Sequence, residues 1–350
     1  MWNVLKNNKL SLMGSLILIG FVIVAIFAPF IAPFGNNQQF PKKGDHPPQS
    51  LRFIDKNGNF HIRPFVYEKT KSFSFETGKT TWKVDKSQKH FLRFFVKGQS
   101  YKFLFWHLDI HLFGFGDPPQ PVFFFGGDPI GRDIFSRSIY GARVSLAIGA
   151  LAALIAIGFG ATVGLISGYV GGALDAVVQR IVEFFSIIPN IPLALTLSAF
   201  LPPDLPPIYL LFGVAIVISI VTWADTSRQI RGLTLSLKET DYVIAAHSYG
   251  ASEVRKIFKH IFPRTITLLI VNFTLTTAHA ILAEAGLSFL GFGIRPPMVS
   301  WGKMLSYAQN LLVMTSQPWN LIPGFLIFIV ILSINFVGDG LRDALDPYSA

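Results

Sequence analysis

The run Lys238–Arg264, KETDYVIAAHSYGASEVRKIFKHIFPR, is polar and basic and lies between two long apolar stretches. A mostly apolar chain has little reason to hold such a segment at its surface unless something docks there. Tyr242, Ala245, Ala246 and Tyr249 fall at i, i+3, i+4 and i+7, one face of a first helix that Thr240 or Asp241 caps. Val254, Ile257, Phe258 and Ile261 repeat that spacing in a second helix, with Arg255, Lys256, Lys259 and His260 on its other sides, until Pro263 ends it. The pattern predicts helix, tight turn, helix. Small Ala245 and Ala246 admit another backbone at close range, and Gly250 takes the positive φ a sharp turn needs. Periodicity alone fits an ordinary surface hairpin between membrane spans just as well.

Composition argues independently for a membrane protein. Hydrophobic residues make up 51% and charged residues 14%, with a mean hydropathy of +0.47, whereas soluble domains carry about 25% charged residues. A hydrocarbon core needs roughly 20 apolar residues per helix. Windows that meet or approach this are Leu10–Ala32, Val144–Tyr169, Val177–Phe200, Pro207–Ala224, Ile266–Leu287 and Leu321–Val337. The first reads as a retained span: its apolar run exceeds a leader's, and Pro29 and Pro33 follow it in place of a small-residue cleavage site.

Basic residues in short loops stay cytoplasmic. With the N-terminus inside, that side holds Lys6 and Lys9, Arg180, the hairpin with Arg228 and Arg231 before it, and Arg342. The short opposite loop Leu201–Pro206 has no Lys or Arg. Six spans put both termini in the cytoplasm, and the hairpin with them. The net charge of +10 follows this bias and implies no nucleic acid partner, because the basic residues are dispersed. With no cysteine, disulfides and thiolate metal sites are excluded.

Between the first two spans, Pro33 to about Tyr140, the chain turns rich in Lys, Phe and Gly. Leu51–Asp55 and Phe60–Pro64 flank Lys56-Asn57-Gly58-Asn59, a hairpin signal. Phe91–Val96 and Tyr101–Trp106 read as further short strands. The expectation is a small β-rich external insert, serving either as contact for a solute-binding protein or as a passive stabilising element.

The wording of several segments goes further than their physics. Ala245-Ala246-x-x-x-Gly250, followed by Ile261 and Pro263, resembles the cytoplasmic signature loop of permease subunits of binding-protein-dependent ABC importers. Gly126-Gly127-Asp128-Pro129-Ile130-Gly131-Arg132-Asp133, continuing through Ser136-Arg137 and Tyr140-Gly141-Ala142-Arg143, resembles the C-type subunits of the dipeptide and oligopeptide branch. Physically, that run is a Gly-rich turn into an amphipathic segment whose three arginines reach lipid head groups or acidic partners. Gly171-Gly172 with Asp175, Leu287–Gly293 with Pro296-Pro297 and Ser300-Trp301-Gly302, and Gly338–Pro347 are similar to further segments of that subfamily. The likeness covers the first span and about 126–347 and leaves out 38–125. Two positions depart from it: Ile244 stands where an acidic residue usually precedes the two alanines, and Gly127 where a threonine is usual. Asp241 or Glu239 is left to supply the missing carboxylate.

The resemblance implies an all-α polytopic membrane protein, the permease of a type I ABC importer with about six transmembrane helices, in the bacterial cytoplasmic (inner) membrane. It divides into 1–32 (cytoplasmic tail and first helix), 33–140 (extracytoplasmic loop with the β-rich insert) and 141–345 (permease domain with coupling loop 238–264). It implies partners: a second homologous permease, two cytoplasmic ABC ATPase subunits that hold ATP and Mg, and an extracytoplasmic peptide-binding protein. The chain itself would be no enzyme and bind no cofactor. Tyr242, Ala245, Ala246, Gly250, Ala251, Ser252, Ile261 and Pro263 would shape and dock the coupling loop. No substrate contact carries a sequence signature, and peptide, nickel chelate and antibiotic-like cargo stay open.

Other chemistry is weaker. Gly78-Lys79-Thr80 ends like a phosphate loop but has Phe73 where the first glycine is needed. His107 and His111 lack the glutamate of a zinc protease, with Leu108 in its place, and read as chance or a satisfied pair. Asn272-Phe273-Thr274 matches a glycosylation pattern but lies inside a span. His279 and Glu284, ionisable groups within a span, offer the alternative of a proton-coupled secondary carrier. That reading leaves the hairpin unexplained, and a purely structural scaffold leaves both signature regions unexplained.

Overall fold

The computed structural model describes residues 8–73, 80–103, 105–116 and 120–345. Lys6, Gly78-Lys79 and Asp346-Pro347 lie outside them. Helices dominate: α1 Lys9–Ile26, α2 Ala28–Ile31, α3 Ile134–Val170, α4 Gly172–Ile187, α5 Asn190–Ala199, α6 Pro207–Lys238, α7 Asp241–Ser248, α8 Glu253–Arg255, α9 Phe262–Phe289, α10 Trp301–Leu305, α11 Leu311–Ser316 and α12 Ile322–Leu345. Among the described residues, five stretches are long and apolar enough to cross a membrane: Lys9–Ile26, Ile134–Val170, Pro207–Lys238, Glu253–Phe289 and Pro318–Leu345. The sixth expected span, Val177–Phe200, is not one straight helix. It is α4 and α5, bent by 92°. The cause is Pro189, which disfavours helical geometry at the residue before it; Ile188 is extended, at φ −76° and ψ 128°.

The chain forms two compact units. In the first, built on Ser145–Ile294 with the chain's terminal segments, α3 packs on α6 along a glycine stripe. A Cβ at Gly160, Gly164 or Gly168 would stand 2.5, 2.4 or 2.9 Å from the backbone oxygens of Trp223, Ser227 or Arg231. The four-residue spacing on both helices lets the backbones approach along a shared seam, the small-residue mode of membrane helix packing. Below it Ala161, Leu165, Ile230, Val243 and Ile261 form one buried cluster. Arg231 donates Nε and Nη2 to the two carboxylate oxygens of Asp175, each at 2.6 Å, and so ties α6 to α4.

The second unit, Phe21–Val144 with Arg295–Leu326, holds an antiparallel sheet in the order β1 Arg52–Ile54, β2 Phe60–Phe73, β3 Thr80–Phe103 and β4 Trp106–Phe115. The Asn-Gly turn closes the first hairpin: Gly58 sits at φ +82°, and the Asp55 carboxylate accepts from Asn57 N and Asn59 N. Phe91–Val96 and Tyr101–Trp106, expected as separate short strands, are not separate: Phe91–Val96 and Tyr101–Phe103 belong to the single long β3. A register shift between Lys97 and Tyr101 absorbs the polar run between them, and Trp106 opens β4.

Two of the three arginines of the Gly-rich run turn inward, to an acidic partner rather than to lipid head groups. Arg132 and Arg137 are buried; Arg132 Nε donates to Asp128 Oδ2 at 2.6 Å, with Arg137 Nε at 3.8 Å from the same oxygen. Burial of a guanidinium demands a paired carboxylate, and Asp128 supplies it. Arg143 donates to the carbonyls of Ala25 and Ile26 at 2.9 Å, at the open end of α1. Asp133 caps α3, accepting from Ser136 N at 2.8 Å. Burial lifts its carboxyl to about 6. Trp301, fully buried, donates Nε1–H to Ser138 O at 2.9 Å.

Candidate functional site: a helical hairpin and a polar cavity

The hairpin folds as helix, turn, helix. Gly250, at φ +77°, terminates α7 in a Schellman arrangement: Gly250 N donates to His247 O at 2.9 Å and Ala251 N to Ala246 O at 3.0 Å. Thr240 occupies the N-cap position without capping; its hydroxyl donates to Leu237 O at 2.6 Å. Ser252 instead caps the second helix, accepting from Arg255 N at 3.4 Å. Pro263 does not end that helix. Lys256–Ile261 widen into a π stretch, and Pro263 falls in the first turn of α9, where its missing N–H costs nothing.

The hairpin turns two different faces. Val243 and Ile261 go into the buried cluster, whereas Tyr242, Ala245, Gly250, Ser252 and Pro263 are exposed and Ala246 and Ala251 half-buried. Tyr249 is 91% exposed and Val254 and Phe258 each 65%. Three large apolar side chains thus stand free on a basic segment, while Ile261 serves packing rather than display. Lys256 anchors the underside: its buried ammonium donates to Glu253 Oε1 at 2.8 Å and lies 2.9 Å from His247 Nδ1. The Tyr169 hydroxyl, at the end of α3, donates to Glu253 Oε2. Glu239, Ile244, Glu253 and Lys256 share one hollow of about 420 Å³. Ile244, in the place of the usual acidic residue, is half exposed at its wall, and Glu253, which sequence reasoning passed over, brings a carboxylate there.

A second feature carries no motif. Between α5, α6 and α9 lies a cavity of about 480 Å³ lined on one side by Thr222, Asp225, Thr226 and Gln229 and on another by Asn272, Thr276 and His279. Along α6 these polar residues fall at i, i+3, i+4 and i+7, and along α9 at i, i+4 and i+7. Each set falls on one face of its helix. Asn272 Nδ2 donates to Gln229 Oε1 at 2.9 Å, joining the two faces, and Asp225 is exposed to the cavity. The signal was legible as inverted amphipathicity, but hydropathy windows stop at Ala224, one residue short of Asp225.

Glu284 is not part of this cavity. It is fully buried and accepts from Ser288 Oγ at 2.6 Å and Ser145 Oγ at 3.2 Å, a cross-link between α9 and α3. His279 and Glu284 therefore serve different places, and the proton-carrier reading loses its pair. The other histidine pair is divided as well. His111 is buried with its ring nitrogens 2.7 and 3.0 Å from the carbonyl oxygens of Ala32 and Gln99, whereas His107 is exposed. No group of three or more potential metal ligands occurs among the described residues.

Membrane-length helices, a surface helical hairpin between two of them and a cavity with polar side chains on two walls are the arrangement expected of a transport permease. The family model described as binding-protein-dependent transport system inner membrane component matches residues 160–348, more than half of the chain. A second, the N-terminal TM domain of oligopeptide transport permease C, matches 1–48. The chain belongs to the family of binding-protein-dependent transport system inner membrane components. It is 43% identical over 230 residues to the dipeptide transport system permease protein DppC of Alkalihalophilus pseudofirmus, covering 65% of this chain and 73% of that one. It is 41% identical over 231 residues to the oligopeptide transport system permease protein OppC of Bacillus subtilis, covering 66% and 73%. A chain of the inward-facing MetNI methionine ABC transporter superposes with a TM-score of 0.48 at 18% identity, covering 61% of this chain and 98% of that one.

Proposed function

We propose that this chain is the C-type permease subunit of an ATP-driven importer of peptides, with both termini and the hairpin in the cytoplasm and the β-rich insert outside. A second homologous permease completes the path, two ATPase subunits hold ATP and Mg, and an external binding protein delivers the peptide. The observation that carries the coupling is the exposed apolar face of the hairpin: Tyr249, Val254 and Phe258 stand free on a segment too polar for lipid, as a docking element must. When the ATPases close and reopen, force applied to α7 passes through the Tyr169–Glu253–Lys256 cluster to α3 and through the π stretch to α9. The cavity walls on α6 and α9 move with them. In this reading Thr222, Asp225, Gln229, Asn272 and Thr276 line one side of the path; the carboxylate attracts a protonated amino terminus, and the amides and hydroxyls replace water around the peptide bonds.

The test is uptake of a labelled dipeptide in cells carrying this chain with its partner subunits. Uptake should stop with orthovanadate and persist with a protonophore. Protonophore-sensitive, vanadate-insensitive uptake contradicts the proposal.

A further inference from the structure

The β3–β4 hairpin ends in exposed aromatic side chains. Phe105 is 90% and Trp106 67% exposed, and Lys97 and Lys102 on the same hairpin are exposed as well. In a water-soluble insert such a tip is unfavourable, because large aromatic side chains gain free energy by leaving water. Its position supplies the reason. The hairpin is pinned near its base, where His111 Nδ1 lies 2.7 Å from Ala32 O, just past α2. From there it runs back along the chain toward α1: Phe95 lies 6.3 Å from Phe30, and Phe103, beside the tip, stacks on Phe27 at 5.7 Å.

Phe27 marks a depth. The 18 residues of α1 rise about 27 Å, close to the roughly 30 Å of a hydrocarbon core, so Phe27 stands where the first span leaves the lipid. The exposed face of α1, Leu16, Ile19, Ile23 and Ile26, continues directly into Phe27. Phe105 and Trp106 follow Phe103 at the tip, with exposed Lys102, opposite His107, one step down the hairpin. Aromatic rings with adjacent cations are the side-chain chemistry of the membrane–water interface.

We infer that the β3–β4 hairpin is a monotopic anchor: Phe105 and Trp106 insert into the phospholipid interface around the outlet of the first span. The insert is thereby held against the bilayer.

Because this chain has no cysteine, a single introduced cysteine is its one labelling site, and the partner subunits are supplied in cysteine-free form. The experiment places a nitroxide at Phe105→Cys and, separately, at Trp106→Cys in the assembled transporter, reconstituted in phosphatidylethanolamine–phosphatidylglycerol bilayers. Ile19→Cys serves as the lipid reference and Asn57→Cys, in the exposed β1–β2 turn, as the water reference. Collisions with oxygen should exceed those with a water-soluble nickel chelate at 105 and 106, and nickel collisions there should be several-fold fewer than at 57. Nickel accessibility at 105 and 106 equal to that at 57 overturns the inference. So does protection that arises only when the external binding protein is added, which would make the tip a protein contact.

Discussion

The guanidinium of Arg231 grips the carboxylate of Asp175 with two parallel hydrogen bonds of 2.6 Å. This fork joins α6, which carries the polar cavity wall and runs into the hairpin, to α4. Arg231→Lys keeps the charge but cannot reproduce the fork. It should lower the melting midpoint of the purified subunit by a few degrees, corresponding to about 1–2 kcal/mol, with Asp175→Asn similar and the double variant little worse than either. Additive losses would show that the two residues do not act as a pair.

Gly164 meets the backbone of α6 more closely than any side chain tolerates, its missing Cβ falling 2.4 Å from Ser227 O. Gly164→Leu forces the helices apart and should abolish accumulation of folded protein, while the same change at Gly158, which faces open space, should be nearly silent. Comparing detergent-extracted yield by size-exclusion chromatography distinguishes them.

Asp225 faces the cavity from the middle of an apolar helix. Asp225→Asn should cut uptake of peptides with a free amino terminus about tenfold, on the order of 1.4 kcal/mol of interaction. Uptake of the same peptides N-acetylated should be equal in both proteins. An equal loss for both peptide forms would assign Asp225 to structure instead of cargo.

Two buried groups give the insert-bearing unit opposing pH responses. Burial holds His46 at about 3: its ring is packed against Trp82 and Phe123, Nδ1–H donates to Pro47 O, and Nε2 has no partner among the described residues. Between pH 6.5 and about 3 the unfolded chain binds the extra proton, so stability falls with acidification by up to about 1.4 kcal/mol per pH unit. Asp133, raised to about 6 by burial, acts the other way: its folded form binds the proton first, so between about 6 and 3.8 acid stabilises. Melting midpoints at pH 7 and 4.5 should therefore drop less in His46→Asn than in wild type, and more in Asp133→Asn. Identical pH shifts in all three proteins would contradict both assignments.

Long apolar helices and the helix–turn–helix were legible because burial in lipid and Gly250 leave strong local signatures. Less legible was anything decided by a neighbour. Pro263 reads as a helix terminator until a π stretch places it in a first turn. Pro189 lies inside the window expected as one span, Val177–Phe200, yet the chain bends there by 92°. Arg132 and Arg137 read as reaching either lipid head groups or acidic partners, because nothing in the run announces that Asp128 meets them in a buried setting. The glycine stripe and the polar faces of α6 and α9 were present as periodicities, but a search for apolar residues passes over them.

The central claim is that the 238–264 hairpin docks the ATPase. Its most direct measurement is co-purification of the tagged chain from membranes, with ATPase assay of the bound fraction, comparing wild type with Tyr249→Asp/Phe258→Asp and with Gly250→Val. The two aspartates change only exposed side chains, so the fold should persist; the valine tests the turn at φ +77°. Retention of ATPase activity by wild type and its loss from both variants, with the second permease still bound, is the predicted result. ATPase retained by the double aspartate variant, at wild-type amounts, would contradict the claim.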